Sequence, residues 1–251
     1  MSGHIISANP NFRNEILAAL PPIELHRLRP HLTRGRMVSG QSLHDAGESI
    51  QQVFFFEEGF ASLVAIADEG SHGVEVGVVG RDSVVGLGAA FSAGATSYTH
   101  SLVQLAGIAY RMPASVLRAA VPDCPVLFAL LLRSYESLIA QSAQTVACNS
   151  RHVLTQRCAR WLLVAHDRAD SNELLLTQEF LSIMLAVRRS GVTVAVATLG
   201  NAGLIRTTRG RVFIADRAGL EKAACSCYQR VQRFTAGLQD EEANSQRVPS
   251  F

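Results

Sequence analysis

Residues 176–216 read LTQEFLSIMLAVRRSGVTVAVATLGNAGLIRTTRGRVFIAD, and this stretch decides the fold. Thr177 can cap a helix by offering its hydroxyl to the free backbone amides of the first turn, where Glu179 also places a negative charge. The apolar residues that follow recur at helical spacing and form one face, namely Phe180, Leu181, Met184 and Leu185. The pattern predicts a short helix that begins just after Thr177.

A second helix is predicted after the turn Ala186-Val187-Arg188. Its inward face carries four apolar residues: Val192, Ala195, Val196 and Leu199. Its outward face carries four small or polar residues: Arg189, Ser190, Thr193 and Ala197. Two short helices, of which the second has a polar and cationic leading edge, are what contact with the major groove of DNA requires.

A strand is the alternative structure for the same residues. Residues 192–196 alternate with period two and are rich in β-branched side chains, which favours a strand by propensity alone. Gly191 also destabilises a helix by about 1 kcal/mol relative to alanine. Local propensity therefore leaves both structures open.

A hairpin is predicted directly after the second helix. Gly203 suits a helix end that needs a positive φ, and residues 204–207 and 211–215 have the composition of two short strands. Arg209-Gly210 forms the turn between them. The hairpin would be a wing, with Arg206, Arg209 and Arg211 available to DNA phosphates.

Charge is distributed unevenly along the 251 residues. Residues 1–120 have a net charge of −2, whereas residues 151–217 contain 10 arginines against 5 acidic residues. A basic block in a nearly neutral protein can present itself to phosphates. An arginine-rich solvated surface is the other interpretation of the same numbers.

Residues 126–149 have the pattern of one long helix. Such a helix would be about 36 Å long, more than a single small domain needs to cover its core. Its apolar or small residues repeat every three or four positions, close to a coiled-coil seam. We therefore expect a dimer interface formed by Phe128, Leu131, Leu132, Tyr135, Leu138, Ile139, Ser142 and Val146. A second helix, at about residues 153–167, carries the only tryptophan, Trp161.

Residues 36–112 have a different sequence pattern, in which short stretches of Val, Phe and Ile alternate with glycine turns. This spacing is typical of a β-sandwich or a barrel-like roll. Strands are expected at residues 52–56, 61–67, 73–79, 84–87 and 102–111. Residues 10–35 precede them as short helices that Pro21-Pro22 interrupts.

The cysteines and histidines do not predict a metal site. The odd count of five cysteines contains one close pair, Cys225-Ser-Cys227, and the eight histidines are scattered. Apolar runs are too short to cross a bilayer, which takes about 20 residues, and no secretory signal is recognisable at the N-terminus. A cytoplasmic location without membrane contact is expected.

The stretch from Thr177 to Ile214 resembles the DNA-binding domain of the Crp/Fnr superfamily, the regulators related to the cyclic-AMP receptor protein. The residues that carry the resemblance are Thr177-Gln178-Glu179, Arg189, Val192, Leu199, Gly203-Leu204-Ile205 and Arg209-Gly210-Arg211. The N-terminal part is similar to that family's sensory β-roll at Gly47-Glu48, Gly59, Gly80, Gly86 and Met112-Pro113. The resemblance covers about residues 15–228.

The resemblance implies an α+β fold in four parts. Residues 1–120 would form a cyclic-nucleotide-binding-like β-roll, or double-stranded β-helix, together with its N-terminal helices. A dimerisation helix would follow at 121–150, a winged helix-turn-helix at 151–230 and a flexible tail at 231–251. It implies a homodimeric regulator that binds double-stranded DNA at an inverted repeat, with RNA polymerase as a partner if it activates transcription. We expect no enzymatic activity and no cofactor.

The chain departs from the family at the effector site. Cyclic-nucleotide-binding members hold the ribose with a Gly-Glu pair and the phosphate with an Arg-Ser pair, and these pairs correspond here to Gly86-Leu87 and Ser97-Tyr98. The carboxylate that would accept the ribose hydroxyl is absent, and so is the guanidinium that would bind the phosphate with two hydrogen bonds. The candidate pocket near these residues would therefore take an effector other than cyclic AMP, and the effector stays unidentified.

Other effectors and other functions fit less well. Residues 1–120 contain none of the cysteines that an iron–sulfur sensor needs, and haem is disfavoured. A cupin-like enzyme would need convergent metal ligands in the β-roll. A cyclic-nucleotide-binding regulatory protein without DNA binding would leave the winged helix unexplained.

The resemblance also assigns base contacts. The family's leading arginine corresponds to Arg189, whereas Ser190 and Val194 replace a glutamate and a second arginine. The operator should therefore differ from that of the cyclic-AMP receptor protein, and methyl groups of Thr193 and Val194 could meet a thymine methyl. The expected DNA-binding residues are Thr177, Gln178, Arg188, Arg189, Ser190, Thr193, Val194, Arg206, Arg209 and Arg211.

Overall fold

The computed structural model describes residues 11–66 and 73–245. Two short helices open the described chain, α1 (Glu15–Ala19) and α2 (Pro22–Leu28). The Asn14 side chain caps α1 by accepting a hydrogen bond from Leu17 N at 3.3 Å. Pro22 stands in the first turn of α2, where its missing N–H is not needed. The predicted break at Pro21-Pro22 is confirmed.

Seven strands then build a β-roll from two antiparallel sheets. They are β1 (Thr33–Met37), β2 (Ser42–His44), β3 (Gln52–Phe56), β4 (Phe60–Ala65), β5 (Val74–Val79), β6 (His100–Leu105) and β7 (Gly107–Pro113). One sheet has the strand order β1-β7-β3, and the other has the order β2-β6-β4-β5. Phe54, Phe56, Val79 and Val103 are buried between the sheets. The predicted β-roll is confirmed.

Two strand predictions were wrong. Residues 84–87 contribute only a bridge from Val85 to Phe54, because the chain turns at Gly86, whose φ is 87°, into a 3₁₀ turn (Leu87–Ala90). Residues 102–111 form two strands instead of one. The chain bends at Gly107, where a Cβ would lie 2.0 Å from the Glu58 carbonyl oxygen, so that only glycine allows this approach.

The β-roll part ends in α3 (Ala114–Ala120) and leads into the long helix α4 (Pro125–Arg151). One face of α4 is buried against the N-terminal helices and the roll through Leu127, Leu130 and Leu131. Further along, α4 crosses β5 so closely that a Cβ on Gly77 would lie 2.7 Å from Leu138 Cδ1. The predicted long helix is present.

The C-terminal part packs around a third core. Its elements are α5 (Leu154–Asp167), β8 (Glu173–Leu174), α6 (Gln178–Met184), α7 (Arg189–Asn201), β9 (Ile205–Thr208), β10 (Arg211–Ile214), α8 (Arg217–Ala223) and α9 (Cys227–Ser245). The small sheet has the order β8-β10-β9. Among the described helices, none taken singly is long and apolar enough to cross a bilayer, although two sharply bent helix pairs meet those criteria together.

The prediction of a flexible tail from residue 231 was wrong for residues 231–236, which lie in a packed helix. Helix α9 continues through this region and packs along α4. Tyr228 anchors its start because the buried ring places its hydroxyl 3.0 Å from Asp167 Oδ2. Further along, Thr235 Oγ1 lies 3.3 Å from Ser137 Oγ of α4. Residues 246–251 lie outside the described part of the chain.

One buried carboxyl joins the roll to the C-terminal part. Glu75 of β5 accepts a hydrogen bond from Trp161 Nε1 of α5 at 2.7 Å and lies 2.6 Å from Ser62 Oγ of β4. Burial raises the pKa of Glu75 to about 7, against the opposing effects of both hydrogen bonds and of Arg160 and Arg168. The carboxyl therefore titrates near neutral pH.

This geometry predicts the pH dependence of stability. The pKa of Glu75 is higher in the folded protein than in the unfolded chain, so its contribution is fully present below about pH 4.5 and is lost as pH rises through about 7. The neutral amide introduced by Glu75→Gln can replace the protonated carboxyl, accepting from Trp161 and donating to Ser62. We expect the stability of the variant to lie within about 1 kcal/mol of the wild type at pH 5 and to exceed it at pH 8 by up to about 3 kcal/mol.

Urea unfolding between pH 5 and pH 8 measures this difference. Glu48→Gln is the matched control because Glu48 is exposed on the same roll. Equal pH dependence in the wild type and in Glu75→Gln would contradict the assignment of the titration to Glu75.

Candidate nucleic-acid interface

The first helix of the helix-turn-helix begins as the sequence predicts. Thr177 Oγ1 accepts a hydrogen bond from Phe180 N at 3.1 Å, which satisfies one free amide of the first turn of α6. The helix ends at Met184, and the chain turns through Ala186, the one non-glycine residue with positive φ (50°) in the described chain. The turn directs the next helix across the first.

The second helix, α7, forms despite its β-branched residues. Its apolar face is buried against α5 and contains the residues that the sequence assigned to it: Val192, Ala195, Val196 and Leu199. Close packing explains the glycine at position 191, because a Cβ there would lie 2.9 Å from Leu154 Cδ2 of α5. Helical burial of four apolar side chains outweighs the local preference for a strand.

The outward face of α7 is open to solvent and carries the predicted base-contacting residues. Arg188, Arg189, Ser190, Thr193 and Val194 are all exposed, and Val194 has 67% of its surface accessible. The hydroxyl of Thr193 donates to Gln178 Oε1 at 2.8 Å, which ties the two helices together on this face.

Arg189 is held only weakly in the chain. Its guanidinium lies 4.0 Å from Glu179 Oε2, and both side chains are more than half exposed. Exposed pairs of this kind contribute at most about 1 kcal/mol. The guanidinium at the leading edge of α7 can therefore exchange this partner for another.

The wing presents three arginines in three different environments. Arg206 of β9 lies over the Phe213 ring, with the guanidinium carbon 4.9 Å from the ring centre. Arg211 of β10 forms an ion pair with Glu173 of β8. Arg209 stands at the turn beside Gly210, whose φ is 73°, and within the described residues it has no ion-pair partner. Arg209 is the least restrained cation of the wing.

The two helices and the wing enclose one open groove. Residues from the start of α6, the start of α7 and the hairpin line it together, including Thr177, Gln178, Arg189, Arg209 and Arg211. The structure thus brings together residues that the sequence separates by more than 30 positions. Arg206 and Val194 are exposed beside this groove but do not line it.

The residues of the predicted effector pocket have other environments. Leu87 is buried in the core below the N-terminal helices. Ser97 donates its hydroxyl to the Thr99 carbonyl at 2.6 Å, and Tyr98 is 90% exposed. Gly86 serves the turn into the 3₁₀ segment. These four residues do not converge on one open site.

A cavity of about 230 Å³ lies instead between the roll, α4, α5 and α9. The Glu75–Trp161 hydrogen bond forms part of its wall. Charged and polar side chains supply most of the rest, including Arg81, Arg160, Arg168, Asp82, Gln141 and Gln232. The cavity could hold a small polar molecule.

The predicted dimer residues on α4 fall into two groups according to their exposure. Five are exposed and lie on one stripe: Phe128, Leu132, Tyr135, Ile139 and Val146. The other three contact their own chain, and only the assignment of the fully buried Leu131 to a dimer seam was wrong, whereas Leu138 and Ser142 are half-buried. Leu131 is fully buried in the core, Leu138 packs on Gly77, and Ser142 Oγ donates to the Val76 carbonyl at 2.8 Å.

Residues 156–223 match the family of Crp-like helix-turn-helix domains. FixK2 from Bradyrhizobium japonicum has the same fold with 14% identity and a TM-score of 0.65, over 77% of this chain and 98% of its own. A Crp/Fnr-family protein from Eubacterium rectale has 16% identity and a TM-score of 0.64, over 83% and 97%. A Crp-family transcriptional regulator from Thermus thermophilus has 22% identity and a TM-score of 0.60, over 76% and 96%.

No curated protein matches the sequence of this chain. The solved structures share its fold from the β-roll through the long helix to the winged helix-turn-helix. The resemblance to the Crp/Fnr superfamily and the α+β fold class that the sequence predicted are confirmed.

The residues at the family's nucleotide-binding positions lead to a prediction about cyclic AMP. A bound nucleotide near Gly86 would need a carboxylate for the ribose and a guanidinium for the phosphate, and residues 86–98 contain no charged side chain. We expect isothermal titration calorimetry to show no saturable heat with micromolar cyclic AMP. Saturable binding in the micromolar range would contradict this prediction.

Proposed function

We propose that this chain, which carries a Crp-like helix-turn-helix domain on a Crp/Fnr-type fold, is a transcription regulator that binds operator DNA as a homodimer. The observation that carries the proposal is the exposed, cationic leading edge of α7 beside a wing with an unrestrained arginine. A helix of this kind fits the major groove, and the wing reaches the backbone beside it.

The stripe on α4 supports the homodimer. Its exposed apolar residues follow one another at intervals of four, three, four and seven positions, from Phe128 to Val146. These intervals are those of a heptad seam, in which two helices bury side chains against each other. Leaving five large apolar side chains in water is costly, at about 25 cal/mol for each Å² of apolar surface that a partner helix would cover.

Two-fold symmetry would fix the form of the operator. A dimer with one α7 per subunit reads two half-sites related by inversion, with centres about 34 Å apart along the DNA. Arg189 would contact O6 and N7 of a guanine in each half-site. Thr193 and Val194, exposed one turn further on, would meet thymine methyl groups.

The other basic residues would hold the DNA backbone. Arg209 would bind a phosphate without losing a partner within the described chain, whereas Arg211 would have to leave Glu173 and Arg206 the Phe213 ring. Arg188, exposed at the start of α7, is assigned to phosphate as well. Backbone contacts set affinity and orientation but do not discriminate sequence.

An effector would regulate this binding from the cavity between the roll and α4. The cavity touches the roll, the long helix and α5 at once, so a ligand there contacts both the sensory and the DNA-binding parts. The protein acts in this proposal by binding, without catalysis, in the cytoplasm. RNA polymerase becomes a partner where the operator position allows activation.

The exposed stripe generates a test of the dimer. We expect light scattering to give twice the chain mass of 27.0 kDa at micromolar concentration. Ile139→Glu should shift the protein to monomer because it places a charge in the apolar seam. Ile23→Glu is the matched control, since Ile23 is exposed on α2 away from the stripe. A monomeric wild type, or equal dissociation of both variants, would refute the proposed interface.

The two classes of arginine generate a test of DNA recognition. Arg189→Ala should weaken binding to an operator by about 1–3 kcal/mol per guanine contact and relax the preference at that base. Arg209→Ala should weaken operator and scrambled DNA alike and make the slope of log K against log salt shallower by about 0.9 per phosphate. Salt titrations of both variants on an operator recovered by genome-wide DNA capture measure these effects.

Arg34→Ala is the control for removal of a positive charge, because Arg34 is exposed on the roll. It should leave binding to both DNAs nearly unchanged. If Arg189→Ala weakened scrambled DNA as much as the operator, the placement of α7 in the major groove would be wrong.

A further inference from the structure

Four potential metal ligands from distant parts of the chain converge at the end of α4. Cys148 lies in the last turns of this helix, and His152 is the cap residue that follows its end at Arg151. Cys225 precedes α9, and Cys227 is its first residue. One ligand atom from each residue lies within 4.8 Å of every other. Cys148 Sγ lies 3.4 Å from Cys225 Sγ, and Cys227 Sγ lies 3.4 Å from His152 Nδ1.

These cysteines differ from the two others in the chain. Cys124 and Cys158 are buried in large apolar cores, where a thiol behaves as a small hydrophobic side chain. Cys148, Cys225 and Cys227 form a buried cluster that contains no other apolar residue. Packing alone does not require three thiols and an imidazole to face one point.

The distances fit tetrahedral coordination. Zn–S bonds of about 2.3 Å and Zn–N bonds of about 2.0–2.1 Å separate the ligand atoms of a tetrahedral site by about 3.5–3.8 Å. The contacts at 3.4 Å and the outer limit of 4.8 Å bracket this range. Shifts of less than an ångström in side-chain atoms would complete the tetrahedron.

We propose that Cys148, His152, Cys225 and Cys227 form a structural Zn²⁺ site. Three thiolates and one imidazole are a complete tetrahedral set for this ion, and they leave no position open for a substrate. Zn²⁺ binding displaces the protons of the three thiols into solvent and involves no change of oxidation state. The proposal does not depend on the proposed DNA binding.

The surroundings suit thiolate ligands. Gln144 Nε2 donates to Cys227 Sγ at 3.0 Å, as an outer-shell group does to a coordinated sulfur. Three thiolates with one Zn²⁺ carry a net charge of −1. Arg157 and Arg160 of α5 lie near enough to interact electrostatically with Cys148 and balance that charge.

Two other fates of these thiols fit the geometry less well. An iron–sulfur cluster places its thiolates on different irons around a core of iron and sulfide, and four ligand atoms within 4.8 Å leave no room for that core. A disulfide between Cys148 and Cys225 would use two of the thiols and leave Cys227 and His152 facing it without a role. A single ion accounts for all four side chains.

The metal would link the end of α4 to the chain that follows the DNA-binding domain. Cys148 and His152 end the long helix just before α5 begins at Leu154, and Cys225 and Cys227 follow α8, the last helix of residues 156–223. One ion would therefore tie both ends of the DNA-binding domain to α4. It would also fix the start of α9 along that helix.

Metal analysis of the full chain, purified under reducing conditions from cells grown with zinc, tests the site. We expect about one zinc per chain by mass spectrometry of the metal content. Replacement of Zn²⁺ by Co²⁺ should produce the visible absorption of tetrahedral cobalt together with thiolate charge-transfer bands. Folded wild-type protein that, kept reduced, binds neither Zn²⁺ nor Co²⁺ stoichiometrically would overturn the proposal. Protein isolated without reductant that contains a Cys148–Cys225 disulfide and no metal would overturn it as well.

Matched variants locate the ligands. Cys225→Ala, Cys227→Ala and His152→Ala should each lose the metal or weaken its binding by at least tenfold, whereas Cys158→Ala and Cys124→Ala should keep full stoichiometry. His31→Ala, with an exposed histidine, is the control for His152→Ala. Circular dichroism reports whether each variant is folded. Unchanged metal content in folded Cys225→Ala and Cys227→Ala would also overturn the proposal.

Discussion

Helix α4 has two apolar faces, and its own chain covers only one of them. Leu127, Leu130 and Leu131 are buried under the N-terminal helices, while the stripe from Phe128 to Val146 faces solvent in the described structure. The hydrophobic effect acts on both faces alike. The rest of the molecule is arranged around this helix, with the roll packed on its first half, the DNA-binding domain attached to its end and α9 returning along it.

The connection between the two ends of the molecule contains a buried polar bond beside an apolar contact, in which Phe60, Val64 and Val78 of the roll pack against the C-terminal part. Glu75 reaches from the roll to Trp161 of α5 inside a protein interior, where an unpaired carboxyl would be strongly disfavoured. The same bond forms a wall of the cavity between the parts. The bond that joins the roll to the DNA-binding domain is therefore accessible from this cavity.

The helix-turn-helix shows how tertiary packing overrides local preference. Residues 192–196 favour a strand by themselves, yet they form a helix because α5 offers an apolar surface that fits helical spacing. Gly191, which weakens an isolated helix, allows the close approach to Leu154. The exposed face that remains carries Arg189, so the packing that forms the helix also decides which side chains DNA would meet.

The sequence by itself determined the order of the three modules, the cap at Thr177 and the arginines of the wing, because these follow from periodicity and turn chemistry within a few residues. It named the apolar residues of α7, but local propensity left a strand open for them, and the packing surface of α5 decided for a helix. It could not separate Leu131 from Leu132 on α4, since both are apolar at adjacent positions and only the roll decides which is covered. It also missed the convergence of Cys148, His152, Cys225 and Cys227. A Cys and a His four positions apart at a helix end were a local signal, but their meeting with the second pair depends on α9 folding back along α4, a long-range contact that no local pattern specifies.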